Sequence, residues 1–300
     1  MARLAVVIPT RNRGGEAAET VRAVLQDPLD FELVVVDQST DDRTFEALRE
    51  VQADPRVRVI RSSEAGASNA RNAGVAATSA PIIAFTDDDC RPAPGWASCM
   101  LSIFDADPDA ALVFGRVHLP PKQNEDDYAP SFEPKVRVQQ GSVPLPSDDL
   151  GIGANFGVRR EVLASLGGFD PLLGPGAPVF RGAEETDLLI RAIHRGLRVI
   201  NAVESDVLHL GVRTGADVRP LHMQYQFAVG AAFGKHARLG GPTAILDAAR
   251  WVKFYTLMTL RDVVRLKRPR PGVLWYFVSG ATSTFRYDLD SRRNVFAERR

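Results

Sequence analysis

The stretch PIIAFTDDDCRPAPGW, residues 81–96, decides the fold. Ile82, Ile83, Ala84 and Phe85 form a short apolar run that ends abruptly in Asp87, Asp88 and Asp89. A run of this kind, bounded by turn residues, reads as a strand buried on both faces. Side chains alternate along an extended chain, so Asp87 and Asp89 are expected on one side and Asp88 on the other. Three adjacent carboxylates at a strand's end repel one another unless a cation sits among them. Hard oxygen donors suit Mg²⁺ or Mn²⁺, which complete their shells with water and substrate phosphates. The alternative is a solvated acidic turn, where Asp is common.

Upstream of this stretch, apolar runs alternate with helical patterns. Leu4 to Ile8, Leu33 to Val36 and Val57 to Ile60 read as strands. Residues 16–26, 44–51 and 66–77 read as helices, the last carrying Asn69, Arg71 and Asn72. This β-α-β-α-β-α-β order predicts a parallel sheet covered by helices. Ligands bind such sheets beyond the carboxyl ends of the strands. Thr10 to Arg13, Asp37, Arg71 with Asn72, and Asp87 to Asp89 are therefore expected on one rim. No GxGxxG follows the first strand and no GxxxxGK[ST] occurs; residues 230–235 come nearest, with the wrong spacing. A dinucleotide oxidoreductase and a P-loop NTPase are both disfavoured. A nucleotide site built from side chains and a metal remains.

Downstream, residues 111–114 read as a strand and lead into a Pro-rich segment, 118–150, expected to be either a flap near the site or a passive insertion. Small residues in GIGANFG (151–157) allow close backbone approach, and Asn155 offers both a donor and an acceptor. Residues 159–166 read as a short helix. Glu184, Glu185 and Asp187 open another helix, where acidic residues complement the dipole. The functional alternative is a carboxylate that projects into the cleft as a general base, kept ionised by that dipole. Residues 197–200 read as a strand, and His209 is either a core histidine or a ligand. Beyond residue 218 long helical patterns dominate. Between Arg250 and Arg270 seven basic residues face one acid, Asp262, with Trp251, Phe254 and Tyr255 interleaved. That mixture fits either an interfacial helix on anionic lipid or a core-packed helix with a solvated basic face.

Composition sets the outer bounds. Hydrophobic residues make up 45% and charged residues 25% of 300 positions, ordinary for a globular protein with a sizeable core. Lys plus Arg and Asp plus Glu are both 37, so no global basic field argues for nucleic acid. Two cysteines without a CxxC exclude a disulfide framework and a structural zinc site. The apolar start is too short for a signal peptide, and no uncharged 18-residue apolar segment occurs, so a cytoplasmic setting is expected. Docking of 243–270 would place the chain at the inner face of the cytoplasmic membrane.

Taken in order, AVVIPTRNR (5–13), ELVVVDQSTDD (32–42), ASNARNAG (67–74), IAFTDDDCRPAPGW (83–96), GANFGVRREVLASLGGFD (153–170) and GAEETDLLIRAIHRG (182–196) resemble the family 2 glycosyltransferases. The resemblance implies a GT-A fold: an α/β, Rossmann-like mixed sheet covered by helices, here with a helical C-terminal extension. A catalytic domain over 1–215 is expected, with 1–117 as the nucleotide-sugar half, 118–150 as the loop and 151–215 as the acceptor half. Residues 216–300 form the extension. The family mostly transfers sugars from nucleoside diphosphates, UDP-sugars being favoured here, to glycan or lipid-linked hydroxyls with inversion. Bacterial cell-envelope or polysaccharide synthesis is the expected setting. Pro9, Thr10, Arg11, Arg13, Asp37, Asn69, Arg71, Asp87, Asp88 and Asn155 then contact the nucleotide sugar, and Asp87, Asp89 and His209 hold Mn²⁺ or Mg²⁺. Glu185 stands where the family usually has a catalytic Asp, with Glu184 and Asp187 as further candidates. A retaining glycosyltransferase on the same fold, a nucleotidyltransferase, or a non-catalytic module for nucleotide sugars or membranes would share much of this pattern.

Overall fold

The computed structural model describes residues 2–121, 124, 128–141, 143, 150–215, 218–264 and 271–297. The first half follows the expected alternation: β1 (Leu4–Thr10), α1 (Gly14–Val24), β2 (Glu32–Asp37), α2 (Arg43–Ala47), β3 (Val57–Arg61), α3 (Ala67–Ala76) and β4 (Ile82–Thr86). The helix expected over 44–51 is only the short α2, followed by a 3-10 turn at Val51–Ala53. Leu4, Val6, Val7 and Ile8 are wholly buried, as are Leu33, Val35 and Val36 beside them. Each such side chain contributes about 1.5–3 kcal/mol by leaving water. Helix α3 lies close on this sheet because Gly74 has no side chain; a Cβ there would run into Val7.

After β4 the chain adds β5 (Cys90–Pro92), α4 (Trp96–Ala106), β6 (Ala110–His118), β7 (Val138–Gln139), β8 (Asn155–Arg159), α5 (Arg160–Leu166), α6 (Glu184–His194) and β9 (Arg198–His209). The sheet order is β3-β2-β1-β4-β8-β6-β9-β5, with β7 also on β9. β3, β2, β1 and β4 are mutually parallel, whereas β8 is antiparallel to both β4 and β6. The result is the mixed α/β sheet with covering helices that the resemblance implied. Phe85 and Phe156 stack across β4 and β8 at 4.6 Å.

Helices α7 (Val218–Leu239), α8 (Pro242–Val264) and α9 (Pro271–Ser283) follow. Gly230 and Gly234 of α7 meet backbone of α9 at Phe277 and Ala281, so these glycines serve a close helix crossing and not a phosphate loop. The extension is not purely helical. β10 (Asp288–Asp290) and β11 (Val295–Ala297) form an antiparallel hairpin, and Phe296 packs against Phe180 at 5.0 Å. No helix of the described residues is long and apolar enough to cross a membrane.

Candidate active site

The carboxyl ends of β1, β2 and β4 open onto a cleft of about 670 Å³. Thr10 ends β1 directly beside Asp37 of β2, in parallel register. Beyond them the backbone turns through Asn12, which adopts a left-handed φ of 58°. The Asn12 N–H donates to Ser39 Oγ at 2.7 Å, and its side-chain oxygen accepts the Thr40 N–H at 3.1 Å. The loop bearing Arg11 and Arg13 is thereby pinned to the turn after β2. Pro9, Thr10, Arg11 and Arg13 line the cleft, as does Gln38. Asp37 lies just behind this wall. One of its oxygens accepts the Ser39 N–H at 2.9 Å, and the other is buried without a partner among the described residues.

The acidic stretch arrives from β4, the neighbour of β1 on the flank away from β2. The strand stops at Thr86 and Asp88–Asp89 form a turn, so the strict alternation expected of an extended chain does not apply. Thr10 Oγ1 donates to Asp88 at 2.7 Å, and the Arg13 guanidinium reaches both Asp88 (3.1 Å) and Asp89 (2.7 Å). Asp87 accepts from Arg71 at 2.9 Å. Burial pushes the Asp88 carboxyl up to about 6, against the pull of Arg13 and Thr10. Burial also raises Asp87, with Arg71 opposing and Asp89 adding to the rise. The acids outnumber the guanidinium groups that reach them here, Asp87, Asp88 and Asp89 against Arg71 and Arg13.

His209 reaches this cluster through sheet register. β5 runs antiparallel to the end of β9 and pairs Cys90 with His209, and the Leu210 N–H donates to the Asp89 carbonyl at 2.9 Å. Ligand atoms of Asp89, Cys90 and His209 lie within 4.8 Å of one another. His209 Nε2 is 3.6 Å from Asp89 Oδ1, a separation that one ion can bridge with bonds of ~2.1 Å. Gly211 crowds the same spot, and any side chain there would strike the Asp89 carboxylate. Cys90 belongs to the core: it is fully buried and its thiol is pushed well up by that burial, which leaves Asp89 and His209 as the donors of this group. A cation held here would require two adjustments. Arg13 occupies the Asp88–Asp89 edge, and His209 Nδ1 accepts the Gly211 N–H at 3.2 Å, which in the neutral ring puts the proton on Nε2.

The opposite wall is the start of α6. Ala183, the residue before the helix, has φ of 65°, a left-handed geometry that costs a non-glycine residue about 1–2 kcal/mol. Glu184 is buried and accepts from Arg71 at 2.5 Å, so a single guanidinium ties the helix start to Asp87. Glu185 lines the cleft and is half-buried. Its carboxyl is raised well above the usual range by burial and then by Glu184. The helix dipole was expected to keep it ionised, but desolvation and the neighbouring acid outweigh the dipole.

Three expected contacts are not met. Asp187 is fully buried away from the cleft: it binds Arg191 at 2.7 Å, Lys235 at 2.7 Å and His236 at 2.8 Å. Burial alone would raise it, but Arg191 and Lys235 drive its carboxyl far down. Asn155 is consumed inside the sheet, accepting from Trp96 Nε1 at 2.9 Å and donating to the carbonyls of Arg116 and Ser205. Asn69 caps locally, donating to the Ala65 carbonyl at 2.8 Å, and is absent from the cleft wall. Further wall residues come from the Pro-rich segment, one of whose two readings put it near the site, and from α7 and α8. Tyr128 to Ser131 of the Pro-rich segment line the cleft, with Tyr128 bridged to Arg213; residues 122–123, 125–127, 142 and 144–149 of that segment lie outside the described residues. Leu221, Tyr225, Gln226, Trp251 and Tyr255 reach in from α7 and α8. Only Trp251 and Tyr255 had drawn notice, as part of a basic aromatic helix.

Comparison with known proteins identifies the family and the fold. The glycosyl transferase family 2 profile matches residues 5–167. Pre-mycofactocin glycosyltransferase of Mycobacterium tuberculosis is 29% identical over 199 residues, 65% of this chain and 40% of that protein. Glucosyl-dolichyl phosphate glucuronosyltransferase of Haloferax volcanii is 25% identical over 200 residues, 65% of this chain and 63% of that protein. These matches span less than two thirds of either relative. A mannosyltransferase from Pyrobaculum calidifontis, solved with GDP-Man and Mn²⁺, superimposes with a TM-score of 0.62 at 17% identity, covering 94% of this chain and 86% of that one. With the family profile spanning more than half of its length and the sheet built as described, the chain belongs to glycosyltransferase family 2, on the GT-A fold.

Proposed function

We propose that the chain transfers a sugar from a nucleoside diphosphate to a hydroxyl acceptor, with inversion at the anomeric carbon. The observation that carries this reading is the pairing of two unlike carboxylate sites in one cleft. Asp87–Asp89 form an under-neutralised cluster at the end of β4, and Glu185 stands at the start of α6. Glu185 takes the acceptor's proton as the acceptor oxygen attacks; a raised proton affinity makes it a stronger base than an exposed Glu. Arg71 holds both sides in register through Glu184 and Asp87. Asp89 and His209, with Asp87 nearby, are the residues that would hold a divalent cation, and the imidazole favours Mn²⁺ over Mg²⁺. Such a cation supplies charge neutralisation to the departing diphosphate. Arg11 and Arg13 line the same rim and offer further positive charge.

The unpartnered buried oxygen of Asp37 supports a base that offers a ring N–H, which uracil, thymine and guanine have and adenine lacks. We keep a UDP-sugar as the favoured donor on the family resemblance. Residues 1–215 would carry donor binding and chemistry, and 216–300 would complete the acceptor side. A contact with anionic membrane is also part of this reading, placing the chain at the inner face of the cytoplasmic membrane in envelope or polysaccharide synthesis. Leu246, Lys253, Leu257, Leu260, Arg261 and Val264 follow one exposed face of α8, and Trp275, Val278 and Phe285 one face of the α9 segment. Arg265, Lys267, Arg268 and Arg270 lie outside the described residues. Failure to co-sediment with anionic liposomes at low salt would remove the membrane element alone.

The test of the donor site is melting temperature with UDP, GDP and dTDP, each with and without Mn²⁺, on the wild type and Asp89→Ala. Ligand at 100 times its Kd adds about 2.7 kcal/mol to folding. A metal-dependent rise with one nucleotide, lost in Asp89→Ala, is expected. No rise with any of them would sink the nucleotide-sugar reading. The anomeric configuration of the product separates inversion from retention.

A further inference from the structure

The cleft has a second half that the donor does not explain. Besides the charged rim its lining is apolar and aromatic: Leu150 and Ile152, with Leu221 and Tyr225 of α7, backed by the buried Trp251 and Tyr255 of α8. These helices hold the wall rigidly. Trp251 stacks with Phe277 of α9 at 5.7 Å and packs on Phe233 of α7 at 4.5 Å. The Tyr255 hydroxyl donates to Gln226 Oε1 at 2.6 Å, so Tyr255 brings no unpaired polar group and the Gln226 amide nitrogen remains the donor. The wall also adjoins the proposed base. The Tyr225 ring lies against Gly182, two residues before Glu184, where even a Cβ would approach its edge to 2.8 Å. Burial and then the nearby Glu184 raise the Tyr225 phenol above its usual range, so it stays protonated at the edge of this wall.

We infer that the α7–α8 side of the cleft is an acceptor subsite for an amphiphile, an alcohol or glycoside whose reacting hydroxyl sits next to an apolar aglycone. Its assignment as the acceptor's place rests on the glycosyltransferase reading above; its existence as an apolar subsite does not. A freely soluble polysaccharide end, polar on every face, would cover none of the apolar surface that the half-buried Leu150, Ile152, Leu221 and Tyr225 present to the cleft. An aryl group and an alkyl or prenyl chain present the same chemistry to this wall, and they can be separated by experiment.

The test is ligand-observed NMR binding of methyl, hexyl and phenyl β-glucoside to the full chain, below any micelle concentration, with UDP plus Mn²⁺ and GDP plus Mn²⁺ titrated in parallel. Burial of the aglycone should tighten hexyl or phenyl glucoside about tenfold or more over methyl glucoside. A preference for hexyl assigns a lipid-type acceptor and a preference for phenyl an aromatic one; each supports the subsite. Leu221→Asp, at a half-buried position, and Tyr225→Ala should both erase the preference while the melting temperature stays near that of the wild type. Equal or undetectable binding of all three glucosides overturns the subsite, as does a preference that survives both substitutions. If a nucleotide binds and no aglycone preference appears, the subsite is wrong and the glycosyltransferase reading stands. If the preference appears and no nucleotide binds, the reverse holds.

Discussion

Glu185 and Asp187 lie two residues apart on the first turn of α6 and live in opposite electrostatic worlds. Glu185 faces the cleft, where burial and Glu184 raise its proton affinity. Asp187 faces inward, where Arg191, Lys235 and His236 surround it and force its proton affinity down. The inner cluster is saturated. Lys235, with no exposed surface, bridges Asp187 at 2.7 Å and Asp170 at 2.8 Å, and Asp170 also accepts the Phe296 N–H of the C-terminal hairpin at 2.8 Å. The cleft cluster is left short of positive charge. One turn of helix thus carries an anchor and the carboxylate proposed as the base, and the difference is set by how completely each is paired.

That contrast can be broken at either end. Glu185→Gln should lower kcat by about 10²–10⁴-fold, the usual weight of a general base, while leaving the melting temperature unchanged or raised. A variant that keeps its turnover would remove Glu185 from the chemistry. Lys235→Met should cost about 3–5 kcal/mol of stability, because it leaves buried Asp170 without its counter-charge and takes one of three partners from Asp187. Denaturant unfolding reads that loss; a stability within 1 kcal/mol of the wild type, as an order-of-magnitude bound, would show that the inner cluster anchors nothing. The third effect is smaller and concerns pH. Asp88 has a folded proton affinity near 6 against about 3.9 in an unfolded chain, so its contribution is full below pH ~4 and lost as pH rises through 6. Two units correspond to about 3 kcal/mol at most. Metal-free protein should therefore melt higher at pH 5.5 than at pH 7.5, and the gap should shrink in Asp88→Asn. A gap of the same size in that variant would assign it to other groups.

Much of the donor half was legible because its physics is local. Continuous apolar runs name buried strands, and strand ends name the rim, so Thr10, Arg13, Arg71 and Asp87 to Asp89 fell on one edge as expected. What escaped depends on long-range register. His209 left two readings open until β5 paired with the end of β9 and carried it to Asp89. Asn155 looked like a ligand contact because its flanking glycines looked like an approach route. In the folded sheet Gly115 makes room for the Asn155 amide instead, and Trp96 takes its oxygen. Asp187 could not be told from Glu185 on sequence, since which side of a helix's first turn meets a buried lysine is decided by α7, nearly 50 residues later. The apolar wall was illegible for the same reason: Tyr225 and Trp251 fit an amphipathic helix pattern equally well whether the face is core or cleft.

Ala183 has a consequence for anyone redesigning this protein. Its left-handed backbone, at φ 65°, is the conformation a stability screen would convert to Gly. Ala183→Gly should raise the melting temperature slightly, by relief of about 1 kcal/mol, and would pass most filters for a beneficial change. It would also slacken the hinge that aims Glu185, so turnover should fall as the fold hardens. A melting temperature that rises while kcat falls would make Ala183 a position where stability and turnover trade against each other.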